Sequence, residues 1–100
     1  RGNSFNEPTC ANLVYVSLRN NILFENNTFT GGTGNGMYIT DSSNVTIRNS
    51  TFNLNNAQTG FFLYQKVNDL TIEPSVMLFG ATTPIAFIFP DTITNVTHPF

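Results

Sequence analysis

Charge is scarce in this chain: Asp, Glu, Lys and Arg make up 10% of its 100 residues, against roughly 25% in a typical soluble domain. Long exposed helices draw on Glu, Lys and Ala, so the shortage argues against them. The net charge is −2, and the four cations (Arg1, Arg19, Arg48 and Lys66) are scattered. That leaves no basic footprint for nucleic acid. Cys10 is the single cysteine, which excludes a disulfide within the chain. No apolar run approaches the roughly 20 residues of a membrane span. The longest, around Pro84 to Phe89, is interrupted by proline.

What the chain does have is 40% hydrophobic residues, ten Phe, 15 Asn and 14 Thr. The apolar share is enough for a core, and the aromatics argue against disorder. Arg1 falls in mid-pattern, so residues 1–100 are expected to form one segment of a longer chain.

A repeat runs through the sequence. Asn21-Ile22-Leu23-Phe24-Glu25 returns as Asn44-Val45-Thr46-Ile47-Arg48, as Asp69-Leu70-Thr71-Ile72-Glu73 and as Asn95-Val96-Thr97-His98. A short apolar segment follows the first three copies: Thr28-Phe29, Thr51-Phe52 and Val76-Met77. Phe5, Phe29, Phe52 and Met77 then form one column, at spacings of 24, 23 and 25 residues. A third segment alternates apolar and other residues, around Val14-Tyr15-Val16, Met37-Tyr38-Ile39, Phe61-Phe62-Leu63 and Ile85-Ala86-Phe87. Period-two alternation marks strands with one buried face.

Three short strands per turn, repeated four times at constant phase, predict an all-β parallel β-helix with coils of 23–26 residues. Each strand would pair with its copy one coil on, roughly 4.8 Å away. The expected inner columns are Val14/Met37/Phe61/Ile85, Val16/Ile39/Leu63/Phe87, Ile22/Val45/Leu70/Val96 and Phe24/Ile47/Ile72, with the Phe5 column beside them. An antiparallel sandwich is the rival architecture, supported by the hairpin-like Asn35-Gly36 pair. It does not require similar segments at one phase across four turns.

The run Asn44-Val45-Thr46-Ile47-Arg48-Asn49-Ser50-Thr51-Phe52, with Gly36-Met37-Tyr38-Ile39 before it, resembles the repeat of the pectin-lyase-like superfamily of right-handed parallel β-helices. The resemblance covers essentially the whole chain. It implies a right-handed coil, as parallel crossovers generally have. The superfamily includes polysaccharide lyases and hydrolases, adhesins and bacteriophage tailspikes, and the Asn/Thr-rich, charge-poor composition looks most like a tailspike segment. That likeness implies an extracellular or virion-surface setting, a homotrimer or packing against the rest of the parent chain, and contact with cell-surface polysaccharide. The active-site motifs of the polygalacturonases do not carry over, since no Asn-Thr-Asp, Asp-Asp or Gly-His-Gly occurs, and for the calcium-binding face that the resemblance implies in a pectate lyase only Asp41, Asp69 and Asp91 exist. No catalytic residue, metal or cofactor is therefore assigned. A fragment of a polysaccharide-degrading enzyme stands as the alternative.

Tyr15, Tyr38 and Phe62 alternate with inner residues, so they are expected to point outward in a stack that Ala86 ends. Ser17, Thr40, Tyr64 and Ile88 would run beside them. This apolar patch is large for a monomer and is the candidate contact face for a sugar or a subunit. Thr40, Asp41, Gln65 and Lys66 at the strand ends would add polar contacts.

Other columns have plainer readings. Arg1, Glu25, Arg48 and Glu73 alternate in sign, as an ion ladder does. A catalytic Glu25–Glu73 pair would sit roughly 9.6 Å apart, but Arg48 between them would keep both ionised. Asn21, Asn44, Asp69 and Asn95 form a turn ladder. The Asn-x-Ser/Thr sites at Asn26, Asn44, Asn49 and Asn95 read as turn chemistry. Gly31 to Gly36 forms a turn without the lysine a phosphate loop needs. His98, Pro99 and Phe100 are expected to form an end cap or a cut edge, and Cys10 to be a small apolar residue at least half-buried.

Overall fold

The computed structural model describes residues 4–7 and 12–100, with side chains for 12–100 only. Cys10 and Arg1 lie outside the described residues. Ten strands follow in order: β1 (Ser4–Glu7), β2 (Asn12–Ser17), β3 (Asn20–Glu25), β4 (Thr28–Gly31), β5 (Asn35–Thr40), β6 (Ser42–Arg48), β7 (Thr51–Leu63), β8 (Val67–Ile72), β9 (Met77–Phe87) and β10 (Ile93–Thr97). One short 3-10 turn, Pro90–Thr92, precedes β10.

Every strand pair is parallel. Each strand bonds to its equivalent one coil away, which makes a solenoid of about four turns and excludes the antiparallel sandwich. One sheet holds β3, β6, β8 and β10, and the other holds the remaining six strands. The three-strand coil holds for the first two turns only. In the third and fourth, two of the strands run together as β7 and β9, with a register irregularity between Asn53 and Ala57.

The core forms because alternate residues of every strand face the axis and repeat at the same phase. Val14, Met37, Phe61 and Ile85 lie in register, as do Val16, Ile39, Leu63 and Phe87. So do Ile22, Val45, Leu70 and Val96, and Phe24, Ile47 and Ile72. In the middle coils these side chains are fully buried, and burial of each contributes about 1.5–3 kcal/mol before ordering costs. Toward the two ends the mates are only partly buried: Val14, Ile22 and Phe24 at one, Ile85 and Val96 at the other. Phe29 stacks on Phe52 at 4.6 Å.

One column departs from expectation. Phe5, Phe29 and Phe52 pair in sequence, but the fourth member is Leu78; Met77 pairs with Thr51 and is 53% exposed. The cause lies in the preceding turn. Its earlier copies place Asn26 and Asn49 at φ 59° and 49°. Pro74 stands in that slot, and proline is locked near −65°. A turn closed by the Val76 N–H on the Glu73 carbonyl replaces the left-handed corner and adds one residue.

Asparagine shapes the corners. Asn21, Asn44, Asp69 and Asn95 have φ between 53° and 58°, a region that Asn and Asp tolerate better than other L residues. Asn44 Nδ2 donates to Asn21 Oδ1, and Asn95 Nδ2 to Asp69 Oδ1. Asn35, the suspected hairpin residue, lies within β5, and its Nδ2 donates to Asn12 Oδ1 at 2.9 Å. Gly36 is needed there, because a Cβ would come within 2.7 Å of the Gly60 carbonyl.

Hydroxyls join coil to coil at the corners. Ser42 Oγ accepts from the Arg19 N–H below it, Ser50 Oγ from Asn27, Ser75 Oγ from Asn49, and Thr92 Oγ1 from Lys66. Each serves a backbone donor that the strand ladder leaves unpaired. At the last coil the Phe100 ring stacks on Phe61 at 5.6 Å, with His98 against Phe87 and Phe100. These contacts cover part of the core at this end, while Phe87 and Phe100 stay exposed.

Candidate functional site

The outward positions of β2, β5, β7 and β9 carry the aromatic stripe. Tyr15, Tyr38, Phe62 and Ala86 are in register. Tyr15 and Tyr38 stack at 4.9 Å with 11° between their planes, and Tyr38 and Phe62 at 5.0 Å with 23°. The spacing is close to the distance between parallel strands, so the backbone itself sets the stack. Tyr64 lies beside it, 5.9 Å from Tyr38 and 6.5 Å from Phe62. Tyr15 is 61% exposed, and the others are half-buried against each other.

The stripe does not end at Ala86. Phe89 packs edge-on against Tyr64 at 5.1 Å and is exposed, as is its neighbour Ile88. The backbone N–H of Phe89 bonds to the Tyr64 carbonyl, which holds it on this face beyond the end of β9. Phe89 directly follows Ile88 and so falls outside the period-two alternation, which is why the strand pattern did not place it on this face.

The polar residues occupy the corner where β5 turns into β6. Thr40 is buried, and its hydroxyl donates to Asp41 Oδ2 at 2.9 Å. It therefore fixes the carboxylate and does not itself face solvent. Asp41 and Lys66 stand at equivalent places on successive coils, joined by the Asp41 N–H on the Gln65 carbonyl and the Ser42 N–H on the Lys66 carbonyl. Together with Asn20, Ser42, Ser43 and Asn68 they line a depression of about 230 Å³. Ser43 Oγ donates to Asn20 Oδ1 across its floor.

The Tyr38 phenol is held above the ordinary tyrosine pKa. Burial is the main cause, followed by repulsion from Tyr15 and Tyr64 when ionised and from the Asp41 carboxylate. It remains a neutral hydrogen-bond donor and acceptor across the physiological range.

The ion ladder is confirmed on one rung. Arg48 Nε and Nη2 lie 2.7 and 2.6 Å from Glu25 Oε2. Among the described residues Arg48 makes no ion pair with Glu73. The Glu25 carboxylate is thus engaged by a guanidinium. No three His, Cys, Asp or Glu side chains converge among the described residues. No described helix is long and apolar enough to cross a membrane.

The sequence of residues 1–76 matches the model of a family described as the right-handed beta helix region. No curated protein and no solved structure matches the chain.

Proposed function

We propose that this chain, which belongs to the right-handed β-helix family, is a rigid, non-catalytic segment of a cell-surface or virion protein that holds polysaccharide against its aromatic stripe. In this role it resembles a phage tailspike shaft. The observation that carries the proposal is the outward stack of Tyr15, Tyr38 and Phe62 with Tyr64 and Phe89 beside it. Each ring offers a large apolar face, and the C–H face of a pyranose is flat, apolar and similar in size. Backbone ladders hold the rings in place, so binding costs little ordering entropy. The scarcity of charge suits a neutral, hydroxyl-rich ligand.

The setting proposed is extracellular or on a virion. A homotrimer in which a neighbouring subunit covers part of the stripe is compatible with its exposed apolar area. Polysaccharide degradation is not favoured by any carboxylate pair, since Glu25 is bound to Arg48.

The test is binding of the folded protein to immobilised neutral and acidic polysaccharides, with sedimentation run in parallel. Tyr15→Ala and Phe62→Ala are expected to weaken binding at least tenfold while leaving the β-sheet circular dichroism intact. No binding to any polysaccharide, in a protein that sediments as a trimer, would favour the subunit contact instead. Chain cleavage lost on Asp41→Asn or Glu73→Gln would restore the enzyme reading.

A further inference from the structure

Among the described residues ten other than glycine have positive φ, and eight of these are Asn or Asp. The two exceptions are Leu18 at 54° and Lys66 at 52°. They do not fall at random. The pairings of Ser17 with Thr40 and of Ser42 with Val67 place Leu18, Asp41 and Lys66 in one column at the corner between the two sheets. A long L side chain in this conformation crowds its Cβ against the backbone, whereas Asn or Asp is tolerated.

The corner imposes this conformation on each of the three coils, and among the described residues no side-chain contact offsets its cost at Lys66. Its backbone N–H is bonded to Thr92 Oγ1, a bond any residue would make. Its side chain is exposed and, among the described residues, enters no ion pair, although Asp41 stands one coil below. That carboxylate is turned to the Thr40 hydroxyl. An unpaired ammonium and a carboxylate thus border the same depression, with the Asn20 and Asn68 amides. Leu18 has the same φ but lies outside the depression, so the polar lining around Lys66, and not the strain, marks this corner.

We propose that this corner depression is a subsite for one hydroxyl-rich sugar residue of a surface polysaccharide, with Asp41 accepting from ring hydroxyls and Lys66 donating to them. The inference rests on the polysaccharide reading and extends it from the aromatic stripe to a second contact around the corner. A sugar hydroxyl donates one bond and accepts others, so an acceptor and a donor on successive coils suit hydroxyls on neighbouring ring carbons. The Asn20 and Asn68 amides add N–H donors, since their Oδ1 atoms already accept from Ser43 and Thr94. Asp41 follows the strand that carries Tyr38, so a glycan lying on the stripe reaches the depression without leaving the surface.

Lys66→Asn separates the two roles of this position. It relieves the backbone and removes the ammonium. Its melting temperature is expected to rise by about 3–8 °C. Affinity for the polysaccharide retained best by the native protein, chosen from dextran, mannan, galactan, hyaluronan and smooth lipopolysaccharide, is expected to fall about tenfold or more. Lys66→Arg keeps the charge and is expected to bind within about threefold of the native protein. If Lys66→Asn binds unchanged while Tyr15→Ala does not, the subsite is overturned and the stripe stands. A lower melting temperature for Lys66→Asn would show that the lysine side chain makes stabilising contacts within the protein and would overturn the proposal. Failure of the native protein to bind any of the five overturns both readings.

Discussion

Phe52 pairs with Leu78, and Met77, one residue earlier, faces Thr51 from the outside of the solenoid. One extra residue in the turn at Pro74 is enough to exchange an inner position for an outer one, because strand side chains alternate faces. Leu78→Ala is expected to cost about 1–3 kcal/mol, since its side chain is partly buried against the core. Met77→Ala is expected to change stability by less than about 0.5 kcal/mol. Urea denaturation of the two variants decides; the reverse order would put Met77 back in the Phe column.

The corner at Asn49 depends on backbone conformation more than on contacts. Its φ is 49° and its side chain is exposed. Asn49→Ala is expected to destabilise by about 1–2 kcal/mol, whereas Asn49→Gly should stay within about 0.5 kcal/mol of the native protein. Equal losses in both would mean that the amide, not the dihedral angle, is what matters.

The Glu25–Arg48 pair joins two coils, yet the arginine side chain is 40% exposed. Solvent screening limits its worth. A double-mutant cycle with Glu25→Gln and Arg48→Met is expected to give a coupling of about 0.5–1 kcal/mol, reduced in 0.5 M salt. A coupling that salt leaves untouched would show the pair to be more shielded than its exposure suggests.

Tyr38 links the stripe to pH. Its folded-state pKa is raised, first by burial and then by its neighbours. The unfolded chain therefore releases this proton first as pH rises past the ordinary value of about 10. The stability contributed is fully present below that value and is lost as pH climbs through the folded pKa. Tyr38→Phe is expected to flatten the fall in melting temperature as pH rises above the ordinary tyrosine value of about 10. An unchanged alkaline slope would assign the fall to other groups.

The sequence by itself determined the solenoid. Repeats at one phase, alternating strands and asparagine corners leave few other ways to bury these residues, and four of the five expected inner columns stand in register, although Phe87 at the end of its column is exposed. It also determined that Tyr15, Tyr38 and Phe62 would face outward together, because a strand with one buried face must turn the alternate residues away from it. Tertiary structure decided what depends on how turns close and on which groups meet across coils. The shift from Met77 to Leu78 came from a proline that cannot take a left-handed corner. The fusion of strands in β7, the burial of Thr40, the reach of Phe89 onto Tyr64 and the depression at Asp41 and Lys66 all follow from contacts between residues 20 or more positions apart or from local dihedral angles. Neither is carried by a pattern of apolar and polar residues, which records which face a residue takes but not how a corner bends to get there.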